Sequence, residues 1–285
     1  MRVHIGGDGV PAVQVGGGAP LVLIAGPCVI ESRAHALGVA EALRDAGRRH
    51  RLPVIYKSSF DKANRSALDG PRGPGLAEGL AILRAVRAGF GLPVTTDVHD
   101  PSQAAEAAAA GVDLLQVPAF LCRQTDLLLA CAATGRPVNW KKGQFMAPFQ
   151  VGAAVDKLQR GGCPGVIVTE RGTTFGHGDL VVDYRGLHAL RAEGHTICFD
   201  ATHSVQRPGA LGVASGGERR YVPALARAAV AVGVDALFLE VHPDPSSAPS
   251  DGANMVPLHA LDALLHGICA VDAAARAAPA VVGLG

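Results

Sequence analysis

The chain is expected to fold as an α/β protein, a (β/α)8 TIM barrel carrying an N-terminal β-hairpin. Three observations predict it. Short β-branched runs alternate eight times with Ala/Leu-rich helical segments, a pattern that implies parallel pairing through right-handed crossovers. The length, 285 residues, is long for one ordinary domain but normal for one such barrel. Chemically capable side chains gather at the C-terminal ends of the predicted strands, where these barrels carry their sites. A doubly wound open sheet is the runner-up, but no Gly-x-Gly-x-x-Gly opens the first helix.

The elements follow in chain order. Alternating pieces at 3–5 and 12–15 flank a Gly-rich turn and predict a hairpin within residues 1–18. The barrel is expected over 21–275, making one domain of 1–285. Its strands are predicted at 21–25, 53–56, 93–96, 114–117, 137–140, 165–169, 196–199 and 236–239. These are short, nearly continuous apolar runs, as strands covered on both faces require. Helices are predicted to begin near Arg33, Leu76, Pro101, Gln124, Phe149, Tyr184, Arg219 and Pro257. Asp100 ahead of Pro101 is a ready N-cap, because proline favours the first helical position. Residues 70–75, with two Pro and three Gly, read as a mobile loop before the second helix.

Composition bounds the function. Apolar residues make up 48% of the chain and aromatics only 4%, so the core is built of Ala, Val, Leu and Ile. A net charge of +1 argues against a global footprint for nucleic acid or an anionic membrane surface. Cys28, Cys122, Cys131, Cys163, Cys198 and Cys269 include no close pair, which fits reduced thiols better than a disulfide framework. The apolar run at 21–30 is too short to span a bilayer. Gly16, Gly17 and Gly18 interrupt it as a signal peptide, and Pro27 blocks lipoprotein-type cleavage before Cys28. A cytoplasmic location is the expectation.

Strand ends supply the chemistry. Cys28 follows the first barrel strand; Lys57 and Ser59 the second; Asp97 and His99 the third; and Gln116 ends the fourth. Lys141 and Lys142 follow the fifth, Glu170 and Arg171 the sixth, Asp200 and His203 the seventh, Glu240 and His242 the eighth. The first, seventh and eighth strands are neighbours in a closed ring. Cys28, His203, Glu240 and Asp251 can therefore converge as metal ligands, although 223 positions separate the first from the last. One thiolate, one imidazole and two carboxylates suit Fe2+, Mn2+ or Zn2+ better than Ca2+ or Mg2+. A buried structural cysteine with a capping aspartate and loop acids is the competing reading.

Lys57, Lys62, Arg65, Lys141 and Arg171 fall on the same predicted face, and Arg123 follows the fourth strand. Cations gathered in a low-dielectric mouth focus a potential that the net charge conceals. Two phosphate groups would use this set, whereas one would leave cations unpaired. Asp97 and His99 share a face by the period of two and could orient a hydroxyl or shuttle a proton; a supporting pair or helix cap fits the spacing equally well. No Ser-His-Asp order, P-loop or basic-aromatic nucleic-acid patch stands out.

With these residues in place, the sequence resembles the 3-deoxy-D-manno-octulosonate 8-phosphate synthases over nearly its whole length. The resemblance rests on Ile24-Ala25-Gly26-Pro27-Cys28, Phe60-Asp61-Lys62-Ala63-Asn64-Arg65, Thr96-Asp97-Val98-His99 and Gln116-Val117-Pro118-Ala119-Phe120-Leu121. It continues through Asn139-Trp140-Lys141-Lys142-Gly143-Gln144-Phe145, Glu170-Arg171-Gly172, Phe199-Asp200-Ala201-Thr202-His203 and Glu240-Val241-His242-Pro243. The Lys-Ala-Asn-Arg segment separates this family from the sibling heptulosonate 7-phosphate synthases, whose loop typically reads Lys-Pro-Arg-Thr.

The resemblance implies a barrel, usually a homotetramer, that condenses phosphoenolpyruvate with D-arabinose 5-phosphate and releases phosphate. The product is the precursor of the eight-carbon sugar acid Kdo of lipopolysaccharide. Members without a metal carry Asn at the position of Cys28, so Cys28 looks like the metal-dependent branch. By the same resemblance Lys57, Lys62, Lys141 and Arg171 hold phosphoenolpyruvate, while Asn64 and Arg65 hold the pentose phosphate with Arg123 entering from a neighbouring subunit. Asp97 lies near the reacting aldehyde, Ser59, His99 and Gln116 complete the substrate-facing set, and Asp251 joins the catalytic one. Two departures stand out: Phe175-Gly176-His177-Gly178-Asp179 where the family more often has Phe-Gly-Tyr-x-Asn, and Trp140 in place of a smaller aliphatic residue. Both are expected to touch loop packing near the site or a subunit contact. The rival readings are an erythrose 4-phosphate-using heptulosonate synthase, a Schiff-base aldolase using Lys57 or Lys141, and a non-catalytic sugar-phosphate-binding barrel.

Overall fold

A computed structural model describes residues 1–64, 68–174, 178–207 and 216–278. The hairpin comes first, with β1 (Arg2–Gly7) and β2 (Val10–Gly16) antiparallel. Then follow β3 (Val22–Gly26), α1 (Arg33–His50), β4 (Val54–Lys57), α2 (Leu76–Phe90), β5 (Val94–Asp97), α3 (Pro101–Ala109), β6 (Leu114–Val117) and α4 (Thr125–Ala133). The second half runs β7 (Val138–Lys141), α5 (Val151–Arg160), β8 (Val166–Glu170), β9 (Thr173–Thr174), β10 (Leu180–Val181), α6 (Tyr184–Ala192) and β11 (Thr196–Asp200). It ends with β12 (Gln206–Arg207), β13 (Gly216–Gly217), α7 (Val222–Val232), β14 (Ala236–His242), β15 (Val256–Pro257) and α8 (Leu258–Ala277).

Strands β3, β4, β5, β6, β7, β8, β11 and β14 pair in parallel in that order, and β14 pairs with both β11 and β3. The ring is closed, which removes the open-sheet alternative. The predicted strands stop one residue or more before the observed ends, except at 114–117. Lys57, Asp97, Lys141, Glu170, Asp200 and Glu240 are therefore inside strands, not beyond them. The helices expected near Phe149 and Arg219 open two and three residues later. A 3-10 turn precedes each, Pro148–Gln150 before α5 and Arg219–Tyr221 before α7. The β9–β10 and β12–β13 ribbons were not legible, because two-residue strands show no alternation.

The period of two organises the inside of the ring. Val22, Ile24, Ile55, Leu114, Ile167, Cys198, Ala236 and Phe238 form one buried cluster with Val3, Ile5, Val13 and Val15 of the hairpin. The hairpin thus plugs the N-terminal mouth. Two residues further along the same strands come Gly26, Lys57, Gln116, Thr169, Asp200 and Glu240. A polar layer must then stack on the apolar one, toward the C-terminal mouth. Outward-facing strand residues such as Leu23, Tyr56, Leu115, Val168 and Leu239 pack with the helices in a second core. Trp140 belongs there too, with its Nε1 donating to the Cys122 carbonyl at 2.8 Å, so its effect is on loop packing.

Helix α8 is long and apolar enough to cross a membrane by length and composition, yet its Leu261, Leu264, Leu265 and Ile268 are buried and it packs on α7 and α1. The loop at 70–75 is tied down where Lys62 N–H donates to the Arg72 carbonyl at 2.8 Å and Gly75 N–H to the Phe60 carbonyl at 3.1 Å.

One side chain anchors the plug. Arg87 of α2 donates to Asp113 at 3.0 Å and to the carbonyls of Gly7 and Asp8 at 2.8 and 3.0 Å. Asp113 is fully buried and also accepts from the Val94 amide at 2.9 Å. Removing the guanidinium leaves a buried carboxylate half-satisfied. Arg87→Ala is expected to cost about 2–4 kcal/mol, read as a lowered denaturant midpoint; a loss within experimental error would mean the anchor is idle.

Candidate active site

The polar layer opens into a cavity of about 930 Å3 at the C-terminal mouth. Lys57, Lys62, Asp97, His99, Gln116, Lys141, Arg171, His203 and Asp251 all line it. The barrel therefore brings together most of the side chains singled out from sequence.

Two glycines let the backbone close around the site. A Cβ on Gly26 would lie 1.8 Å from the Lys57 carbonyl oxygen, and one on Gly252 would lie 2.2 Å from that of Pro245. Only glycine permits either approach. The first brings the end of β3 against β4, where Lys57 Nζ donates to the Cys28 carbonyl at 3.1 Å. The second folds the loop carrying Asp251, itself at φ 53°, a left-handed conformation that Asp tolerates better than most residues.

Most of the cavity's cations are paired within the chain. Lys57 Nζ donates to Glu240 Oε1 at 2.9 Å, and Lys141 Nζ to Asp200 Oδ2 at 2.5 Å while sitting 3.7 Å from the Phe238 ring centroid. Lys142 is buried away from the cavity, bonded to the Met146 carbonyl at 2.9 Å and facing Glu170 at 3.3 Å. Glu170 turns back to accept from the amides of Arg171 and Gly172. Arg171 is the exception. Its Nη2 donates to Gln206 at 2.8 Å, but its buried Nη1 has no partner among the described residues. Burial pushes its acidity up, against the pull of Asp200 and Asp251. An oxyanion is the group that would satisfy it.

Asp97 is the hub on the other side. Ser59 Oγ donates to its Oδ2 at 2.6 Å, Gln116 Nε2 donates to its Oδ1, and Lys62 Nζ stands 3.9 Å away. Burial alone would raise this carboxyl, but Lys57 and Lys62 outweigh it and hold Asp97 well below the usual range. Lys62 shows the mirror effect: burial favours the neutral amine, yet the surrounding carboxylates, Glu240, Asp97 and Asp251, raise it well above the ordinary lysine value. His99 packs edge-on against Phe60 with ring centroids 5.8 Å apart, and its pKa is lowered chiefly by burial.

The four expected ligand residues meet at one place. Cys28 Sγ donates to Asp251 Oδ2 at 3.2 Å, and ligand atoms of Cys28, Glu240 and Asp251 all lie within 4.8 Å of one another. His203 Nε2 lies 3.7 Å from Glu240 Oε1, beside that trio. Its Nδ1 faces Asp200 Oδ2 at 2.7 Å; a carboxylate only accepts, so Nδ1 carries the proton and Nε2 keeps its lone pair for the site. Glu240 Oε2 is buried with no hydrogen-bond partner among the described residues. Burial and the carboxylate of Glu240 push the Cys28 thiol far up, while Asp251, buried but facing His203 and Lys62, is held low. Soft and hard donors around an unsatisfied carboxylate oxygen fit a borderline divalent ion.

A second trio, Glu31, His35 and His242, has similar spacing but different chemistry. The Asp244 amide donates to His242 Nδ1 at 3.1 Å, so Nε2 keeps the proton and gives it to Glu31 Oε1 at 2.7 Å. That imidazole has no lone pair to offer.

Some expected residues stand apart. Asn64 is exposed at the cavity rim. Arg123 is exposed and not among the residues lining the cavity, so one chain does not bring it to the site. Arg65 and His177 lie outside the described residues. Sequence reading missed Gln144, Gln206 and Arg219, which line the cavity, and the buried Asn139 and Thr169. Neutral amides and hydroxyls have no spacing signature; the only available signal was polar residues inside otherwise apolar strands.

Comparison with known proteins places the chain in a family. The model of the DAHP synthetase I family matches residues 4–274. A 2-dehydro-3-deoxyphosphooctonate aldolase of Nitrobacter winogradskyi is 56% identical over 270 residues, covering 94% of each chain. One of Bradyrhizobium diazoefficiens is 56% identical over 265 residues, 93% of this chain and 94% of that protein. Another, of Rhodopseudomonas palustris strain HaA2, is 57% identical over 265 residues, 93% and 92% of the two.

Proposed function

The chain belongs to the DAHP synthetase I family, and from that premise we propose that it condenses phosphoenolpyruvate with D-arabinose 5-phosphate and water. The products are 3-deoxy-D-manno-octulosonate 8-phosphate and inorganic phosphate. The observation that carries the reading is the buried Nη1 of Arg171, which has no partner among the described residues, in a cavity shared with Lys62, Lys141 and Asp97. It is a preformed oxyanion pocket beside a carboxylate suited to a sugar hydroxyl.

In this reading Arg171 and Lys141 hold the phosphate of phosphoenolpyruvate, and Lys57 and Lys62 compensate its carboxylate. C3 of phosphoenolpyruvate attacks the aldehyde carbon, whose oxygen takes the carbonyl electron pair and a proton, while water adds at C2 and releases a proton. The tetrahedral intermediate then breaks its C2–O bond, the electron pair leaving with phosphate. Arg171 and Lys141 stabilise the charge that develops there. Asp97 accepts a hydroxyl hydrogen of the aldose and so orients the carbonyl. Asn64 and Arg65 receive the far phosphate of the aldose, helped by Arg123 from a neighbouring subunit of a homotetramer. The setting is the cytoplasm.

Cys28, His203, Glu240 and Asp251 would hold a divalent ion, Fe2+, Mn2+ or Zn2+. When bound, the ion supplies Lewis-acid polarisation of a carbonyl oxygen and positive charge among the carboxylates. Asp200 keeps the His203 tautomer, and Gln206 keeps Asp251 in place with a 2.8 Å bond. A Schiff-base route is disfavoured, because the ammonium groups of Lys57 and Lys141 each donate to a buried carboxylate, whereas that nucleophile must be a neutral amine.

The test is phosphate release from phosphoenolpyruvate with arabinose 5-phosphate or erythrose 4-phosphate, each with and without chelator. Release with the pentose phosphate, abolished by chelator, is expected. Preference for the tetrose phosphate, or binding without release, would replace the reading.

A further inference from the structure

Barrel interiors of this kind are usually filled by branched apolar side chains. Here Asn139 and Thr169, both fully buried, break that rule. They belong to a chain of hydrogen bonds crossing four adjacent strands. Thr169 Oγ1 donates to Asn139 Oδ1 at 2.5 Å, Asn139 Nδ2 donates to Gln116 Oε1 at 2.8 Å, and Gln116 Nε2 donates to Asp97 Oδ1. Asp97, Gln116 and Asn139 are direct register partners across β5, β6 and β7. The chain is therefore built into the sheet.

Its direction follows from chemistry. An ionised Asp97 only accepts, so Gln116 must turn its NH2 toward it. The Gln116 oxygen then faces Asn139, which must present its own NH2. That leaves the Asn139 oxygen facing Thr169, the one partner with a hydroxyl hydrogen to give. From the other side Ser59 donates to Asp97 and so receives Lys62 Nζ, at 3.1 Å. Both arms end on one carboxylate. A reversal at any link would set two like groups face to face in a dry interior.

We propose that Thr169 and Asn139 are positioning residues that lock the Gln116 amide in its donating orientation, so that Asp97 meets the sugar phosphate as a pure acceptor for a hydroxyl hydrogen. The proposal rests on the condensation reading above. The charged and titratable groups facing Asp97 are Lys57, Lys62, His99 and Lys141, and none of them fixes the amide's orientation.

Asn139→Asp puts a second carboxylate against Gln116, which competes with Asp97 for its NH2, so that Asp97 is shown an oxygen in part of the population. Thr169→Val deletes the last donor without adding charge. In the wild-type assay format, with folding checked by circular dichroism, Asn139→Asp is expected to lower kcat/KM for arabinose 5-phosphate about tenfold or more. KM for phosphoenolpyruvate should stay within about twofold of wild type while KM for arabinose 5-phosphate rises. Thr169→Val should shift both readouts in the same direction by less, which separates orientation from simple repulsion. A folded Asn139→Asp with wild-type kinetics overturns the proposal, as does an equal loss toward both substrates. If Asn139→Asp does not fold, Thr169→Val decides: unchanged constants for arabinose 5-phosphate overturn the proposal and a loss confined to that substrate supports it. An inactive wild type overturns the condensation reading and this proposal together; an active wild type with unshifted variants overturns the proposal alone.

Discussion

Cys28→Ala is expected to lower turnover by more than about a hundredfold and to leave the purified protein with little bound divalent metal. The thiol is fully buried, and burial with Glu240 and Asp251 nearby drives it toward its protonated form. Such a cysteine is inert unless a cation arrives to take the proton's place. Glu240 and Asp251 would still face each other without it, with His203 alongside, so weak binding of a harder ion is the residue of function anticipated. Metal content by elemental analysis and phosphate release, before and after reconstitution with Mn2+ or Zn2+, measure the two effects. Full activity of Cys28→Ala in chelator would remove the metal from the account.

Lys57→Met should produce the largest loss of stability from a single substitution in the site, about 3–5 kcal/mol. Lys57 and Glu240 are each 1% exposed at the side chain and 2.9 Å apart. Deleting the ammonium strands the carboxylate in a dry interior beside Cys28 and Asp251. Burial raises the Glu240 carboxyl, but Lys57 and His203 outweigh it, so the group is held below its ordinary value. A depressed carboxyl contributes stability that is complete above the unfolded value near about 4.3 and fades as pH falls below it. The gap between wild type and Lys57→Met should therefore be full at neutral pH and narrow under acid conditions. Denaturant unfolding in chelator at several pH values reads this directly. A gap below about 1 kcal/mol at neutral pH would show that Glu240 finds another partner.

Much of this was legible in the chain. Apolar runs bounded by Pro and Gly located every barrel strand, and the residues two places beyond the apolar interior had to be the polar layer. Lys57, Asp97, Gln116, Lys141 and Glu240 were found at the C-terminal ends of predicted strands, and Cys28, His203 and Asp251 by their places in the connecting loops. Arg171 was found as a cation, but not as the one with a nitrogen to spare. Asn139 and Thr169 were given no role, because one amide and one hydroxyl in apolar strands look like tolerated exceptions.

By itself, then, the sequence determined which side chains share a face and which mouth of the ring they serve, since backbone periodicity and strand ends are local properties. The tertiary structure alone decided the partnerships: Lys57 with Glu240, Lys141 with Asp200, Cys28 with Asp251, and the four-strand chain ending on Asp97. Those depend on ring closure between segments as many as 223 positions apart. No local pattern encodes the few ångströms that separate a free cation from a neutralised one.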